Sequence, residues 1–134
     1  MKVYVDTSAF IAFRDRSDTH HLLFARLFSN PPSLITSPFV IAEGHAWFLK
    51  RYDGTRGLQF LDFIKILKTL SIPSMGIREI EKAIRVLKKY SDQELTLVDA
   101  MGLCIMEDHN IRTCWSTDRH LGLTGIPLVI HQTE

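Results

Sequence analysis

The sequence predicts an α/β fold built on a parallel sheet. Short apolar runs alternate with longer stretches of helical periodicity along nearly the whole chain, the order that places helices between parallel strands. The first run, Val3-Tyr4-Val5, is continuously apolar, which suits a strand covered on both faces. No repeat, low-complexity tract or long linker interrupts the 134 residues, so one domain spanning 1–134 is expected.

The elements follow in order. A strand over 2–5 leads into a short helix around 9–13 and a second around 20–28, where Leu23, Phe24, Leu27 and Phe28 fall on one face. Pro31-Pro32 ends that helix, and 33–36 is the second strand. Ser37-Pro38 provides an N-cap and a first-turn proline for a helix to about Tyr52. Asp53-Gly54-Thr55 breaks it and starts another to about Leu67. A third strand over 69–72 stops at Pro73, and 77–90 is an amphipathic helix. Thr96 caps a mostly apolar helix to about Asp108. A fourth strand over 112–116 and a fifth over 128–130 complete the sheet.

Composition narrows the function classes. With a net charge of +1 there is neither a polybasic arm nor an acidic tail, so nucleic-acid contact has to come from local basic groups. Cys104 and Cys114 are too few for a disulfide framework and sit in apolar stretches, as buried free thiols do. No apolar run reaches the roughly 20 residues of a membrane span, and the chain opens on a strand rather than a signal peptide. A cytoplasmic location without membrane contact is expected. The six histidines show no zinc-ligand spacing with each other or with the cysteines.

Four carboxylates carry the chemistry. Asp6 and Asp118 each directly follow a strand, and in open parallel sheets ligands bind beyond the carboxyl ends of the strands. If the two strands are neighbours at a switch point, both acids share one rim, with Thr7, Ser8, Ser116 and Thr117 adding hydroxyls and N–H groups. Glu43 lies mid-helix among Phe39, Val40, Ala46 and Trp47, which places it on the inward face. A buried carboxylate needs a charged partner or a metal. Asp99 stands in the first turn of an apolar helix with no nearby base, although Thr96-Leu97-Val98-Asp99 also reads as a capping box. Acids without bases suit hard divalent cations with oxygen ligands. Two such ions about 4 Å apart would clamp the attacking and leaving oxygens of a phosphoryl displacement. Without a cation, at least one of these carboxyls should titrate high.

Four segments, 5–10 (Val-Asp-Thr-Ser-Ala-Phe), 37–43 (Ser-Pro-Phe-Val-Ile-Ala-Glu), 95–100 (Leu-Thr-Leu-Val-Asp-Ala) and 116–121 (Ser-Thr-Asp-Arg-His-Leu), resemble the four acidic motifs of PIN domains in order and spacing. The resemblance covers essentially the whole chain, which at this size looks like a VapC-type toxin of a toxin–antitoxin pair. It implies a three-layer α/β/α sandwich around a mostly parallel sheet of about five strands. It also implies Mg²⁺- or Mn²⁺-dependent endonucleolytic cleavage of RNA, homodimerisation, and inhibition by a small VapB-like antitoxin whose tail enters the acidic cleft. Matched by motif, Asp6, Glu43, Asp99 and Asp118 take the acidic-quartet roles as metal ligands. Thr117 takes that of the hydroxyl beside the last acid, with Thr7, Ser8 and Arg119 positioning substrate. Two positions depart from the pattern: Leu121 stands where many relatives carry phenylalanine, and Gly44 interrupts its helix at a cost of about 1 kcal/mol, admitting close approach of backbone or substrate.

Two other readings stand beside this one. An aspartyl-phosphate phosphatase of the haloacid-dehalogenase kind would also place a nucleophilic aspartate after the first strand. It wants a second aspartate where Ser8 stands and a lysine near Asp118. A catalytically inactive PIN-like module would bind RNA or protein, yet all four acids are kept. Arg14, Arg16, Lys50, Arg51, Arg56 and Arg119 are scattered bases that together could guide an RNA backbone. Trp47, Phe48 and Tyr52 read as core or dimer contacts, and His120 as a surface histidine.

Overall fold

A computed structural model describes residues 2–132, so residues 1, 133 and 134 of the expected domain lie outside the described residues. Ten elements follow one another: β1 (Lys2–Val5), α1 (Thr7–Arg14), α2 (His21–Ser29), β2 (Ser33–Ile35), α3 (Pro38–Arg51), α4 (Gly54–Ile66), β3 (Leu70–Ser71), α5 (Ile77–Lys89), α6 (Leu97–Asp108) and β4 (Cys114–Trp115). The strands pair in parallel in the order β3-β2-β1-β4.

Side chains on adjacent strand positions go to opposite faces, and the core divides accordingly. Val3, Val5, Leu34 and Trp115 pack with α1 to α4, where Phe10, Phe28, Phe48 and Phe60 fill the layer. Tyr4, Ile35 and Cys114 face Leu103, Ile105 and Met106 of α6. Helices therefore cover both faces of the sheet, a three-layer sandwich. The first two crossovers step the sheet one way from β1. The third, through α5 and α6, carries the chain to β4 on the other side of β1. The strand order thus reverses at β1, and the crevice of an open α/β sheet lies at such a reversal.

The fifth strand does not form. Only Leu128 pairs, in a single bridge to Cys114, and Val129–His131 turn into a 3₁₀ helix. Three apolar residues are too few to hold a strand against the turn that follows. Helix α3 buries Val40, Gly44 and Phe48, a stripe with four-residue spacing. A Cβ on Gly44 would lie 2.6 Å from Cζ of Phe60, so this glycine admits the α4 ring. Both cysteines are buried and free, and burial raises both thiol pKa values, which keeps them unreactive. No described helix is long and apolar enough to cross a membrane.

Candidate functional site

Parallel pairing places Val5 beside Trp115, so the next residues, Asp6 and Ser116, emerge together at the carboxyl end of the sheet. Asp6 is 4% exposed. Its Oδ2 accepts two hydrogen bonds, from Ser8 Oγ and Ser116 Oγ, both at 3.0 Å. Each serine in turn accepts a main-chain N–H at 2.9 Å, Ser8 from Thr117 and Ser116 from Asp118. Both hydroxyl protons are therefore committed to Asp6, and the 3.2 Å approach of the two serine oxygens is contact without a bond. The network fixes Asp6 against the segment that carries Asp118.

The other acids reach the same place from separate elements. Glu43 Oε1 accepts a hydrogen bond from Thr7 Oγ1 across the α1–α3 seam. Asp99 forms the expected capping box, with its N–H on Thr96 Oγ1 at 3.1 Å and its Oδ2 on Thr96 N at 3.2 Å. Capping occupies only one of its carboxylate oxygens. Asp6, Glu43, Asp99 and Asp118 all line one cleft of about 430 Å³, together with Thr7, Ser8, Trp47 and Lys50.

Two expectations are corrected here. Glu43 is solvent-exposed; it faces the cleft because α3 turns Val40, Gly44 and Phe48 to the core. Arg119 does not line the cleft. Asp118 Oδ1 caps the following 3₁₀ turn through His120 N at 3.0 Å, and this turn leaves Arg119 exposed. Thr117 contributes its main-chain N–H, whereas the hydroxyl held against Asp6 belongs to Ser116.

The sequence reading undervalued two residues. His120 Nδ1 lies 3.0 Å from Asp118 Oδ1, and Asp99, Asp118 and His120 present ligand atoms within 4.8 Å of one another. Its position two residues after Asp118 was the available signal. Trp47 lines the cleft as a half-buried wall, while Phe48 is core.

Burial, with a small addition from Asp99, pushes the Asp6 carboxyl up to about 6 despite its hydrogen bonds. Burial and then the Asp118 charge raise Asp99 as well. The direction is the expected one, but the leading cause is lost hydration rather than mutual repulsion. Among the described residues, no lysine or arginine forms an ion pair with any of the four acids. Buried, hydrogen-bonded carboxylates such as Asp6 and Asp99, with oxygen atoms to spare and no lysine or arginine partner, fit a divalent cation of oxygen preference.

The PIN-domain family model matches residues 3–125. The chain belongs to the PIN-domain family, and its relatives are VapC proteins. It is 28% identical over 121 residues to Ribonuclease VapC26 of Mycobacterium tuberculosis, covering 86% of this chain and 85% of that protein. It is 26% identical over 125 residues to the 23S rRNA-specific endonuclease VapC20 of the same species, covering 92% and 94%. The crystal structure of VapC20, described as a sarcin-ricin loop cleaving toxin, superposes with a TM-score of 0.84 at 22% identity, over 93% of this chain and 96% of that one. A toxin–antitoxin complex from Klebsiella pneumoniae contains a chain of the same fold, with a TM-score of 0.61 at 20% identity over 94% of each.

Proposed function

We propose that this chain is a metal-dependent endoribonuclease and the toxin of a type II toxin–antitoxin pair. The observation that carries the reading is the meeting of Asp6, Glu43, Asp99 and Asp118, from four separate segments, in one cleft at the reversal point of the sheet. The relatives named as VapC ribonucleases support the same conclusion.

Asp6, Asp99 and Asp118 would hold Mg²⁺ or Mn²⁺, with Glu43 binding directly or through water. When bound, the cation supplies charge stabilisation for an in-line phosphoryl displacement. The chain's own residues prepare the place. Ser8 and Ser116 fix one oxygen of Asp6, which leaves the other to the cleft. Thr7 draws exposed Glu43 to the rim, and Thr96 orients Asp99. His120 holds Asp118 by its Oδ1. Thr117, through its amide, keeps Ser8 in line. Lys50 is the cationic group on the cleft wall and is placed to meet a phosphate.

The partner is a small VapB-like antitoxin, in keeping with the Klebsiella complex, and the working unit is a homodimer in the cytoplasm. Exposed Leu22 on α2 and Leu58 and Ile66 on α4 offer apolar surface for such contacts.

The test is cleavage of structured RNA by purified protein with Mg²⁺ or Mn²⁺ against a chelator control. Asp6→Asn and Asp118→Asn should each lower the rate by about two orders of magnitude or more, the scale on which electrostatic stabilisation of a transition state acts. Mutants that cut as fast as wild type would overturn the metal-site reading.

A further inference from the structure

Three of the bases singled out in the sequence, Arg14, Arg16 and Arg56, gather in a second cavity on the same seam. Helices α1 and α3 run side by side, fastened at their N-terminal parts by the Thr7–Glu43 hydrogen bond and near their C-terminal ends by Tyr52 OH, which donates to Asp15 Oδ1 at 2.8 Å. The acid cleft lies at the first fastening. At the second lies a cavity of about 700 Å³ into which Arg14, Arg16 and Arg56 all open. Thr7, Ile11 and Arg14 share one face of α1 by their spacing, so a single helix face leads from the acids to the arginines over about 10 Å.

Arg14 and Arg56 are held in place, not merely near. The Arg56 guanidinium donates to the Arg14 carbonyl oxygen at 3.1 Å and stacks 4.2 Å from the Tyr52 ring centre. Arg14 lies 5.1 Å from the centre of Phe63 and 5.8 Å from that of Phe13. Partial burial, and then the Arg56 charge, lower the Arg14 pKa, so the two guanidinium groups oppose each other. Among the described residues neither makes an ion pair with an acid. Asp15 also lines the cavity, but its Oδ1 is taken by Ser17 N at 3.1 Å, Ser17 Oγ at 2.8 Å and Tyr52. Three arginines face one carboxylate, so the cavity keeps a positive excess. His21 donates from Nδ1 to Ala12 O at 2.9 Å, which fixes its ring at the same cavity and leaves Nε2 free for a hydroxyl.

We propose that Arg14, Arg16 and Arg56 form a phosphate subsite that grips the RNA backbone away from the scissile bond and lays the strand along the α1–α3 seam into the acid cleft. Planar, stacked guanidinium groups suit bidentate phosphate recognition. An arginine pair with no acid between its members is completed by an anion. The inference rests on the nuclease reading.

The test uses the full chain in EDTA with a fluorescein-labelled single-stranded oligoribonucleotide, read by anisotropy over a series of NaCl concentrations. Arg14→Gln/Arg56→Gln should weaken binding about tenfold or more. The slope of log K against log salt should shrink by about 0.7 for each phosphate no longer neutralised. Arg14→Lys/Arg56→Lys should keep the slope and recover only part of the affinity, because lysine neither stacks nor forks. Arg16→Gln, on an exposed side chain, should weaken binding in the same sense, and it decides the matter if the double variant fails to fold by circular dichroism. Native affinity and slope in the folded arginine variants would overturn the proposal while leaving the nuclease reading intact, provided wild type cuts RNA with Mg²⁺. Variants that bind RNA normally but lose affinity for an oligoglutamate peptide would assign the cavity to an acidic protein segment instead, and would also overturn it. A wild type that neither binds nor cuts RNA removes both conclusions.

Discussion

Asp6→Asn in the metal-free protein provides the sharpest physical test. Burial moves the Asp6 carboxyl from 3.8 to about 6, so the folded chain holds a proton that the unfolded chain releases. Where the native state binds more protons, stability falls as pH rises. The contribution is fully present below pH 3.8 and is lost as pH climbs through 6. That displacement corresponds to about 3 kcal/mol at pH 7. Asparagine keeps the shape and can still accept from Ser8 and Ser116, but carries no charge to desolvate. D6N should therefore exceed wild type by about 3 kcal/mol at pH 7, about half that at pH 5, and nothing near pH 3.5. For a chain of this length that amounts to about 10 °C in Tm at neutral pH. Asp15 shifts in the opposite direction and, common to the two proteins, cancels in the difference; Asp99 shifts in the same direction, and only its small coupling to Asp6 stays in the difference. The assay is urea denaturation in EDTA from pH 3.5 to 7.5. A wild-type–mutant difference that stays constant over that range would refute the buried-carboxylate argument. Added Mg²⁺ should then stabilise wild type in proportion to its occupancy, and D6N much less.

Other perturbations follow from the packing. Gly44→Ala puts a Cβ against the Phe60 ring at 2.6 Å; overpacking of about 1–3 kcal/mol outweighs the helix-propensity gain of about 1 kcal/mol. A net loss by denaturation is expected, relieved in Gly44→Ala/Phe60→Leu, and a more stable single mutant would contradict the close α3–α4 contact. Among the described residues, Tyr4 OH is buried without a hydrogen-bond partner. Tyr4→Phe should gain about 1 kcal/mol, and a loss of stability would show that the hydroxyl has a hidden partner. Thr96→Ala removes the hydroxyl that accepts from Asp99 N–H and should cost about 1 kcal/mol, with slower RNA cleavage because the turn that carries Asp99 loosens, although the main-chain N–H at 96 still meets its carboxylate. Unchanged activity would separate the cap from the site.

Strands and helices were legible in the sequence wherever a pattern of apolar residues met a clear stop, as at Pro31-Pro32 or Ser37-Pro38. Asp6 and Asp118 were legible because each follows a strand, and the sheet places both at one edge. The side of α3 that carries Glu43 was not. The packed stripe is Val40, Gly44 and Phe48, and its middle member has no side chain, so hydropathy pointed instead to Ala46 and Trp47. The fifth strand failed for a related reason: the run Leu128-Val129-Ile130 looks like a strand, but only Leu128 meets a partner. The hydroxyl network around Asp6 depends on register, Val5 opposite Trp115, and no local pattern reveals which serine stands beside which acid. His120 lost to a base rate, since a histidine near a turn is usually only a surface residue.

The bond from Ser116 to Asp6 joins positions 110 residues apart. A ribosome that has made the first acid has therefore yet to make the serine that aims it and the aspartate beside that serine. Until that later stretch leaves the exit tunnel, Asp6 has Ser8 alone of its two serines and lacks the acids of the C-terminal third. The acidic cleft is in this way a late product of synthesis, complete only once almost the whole polypeptide has been made.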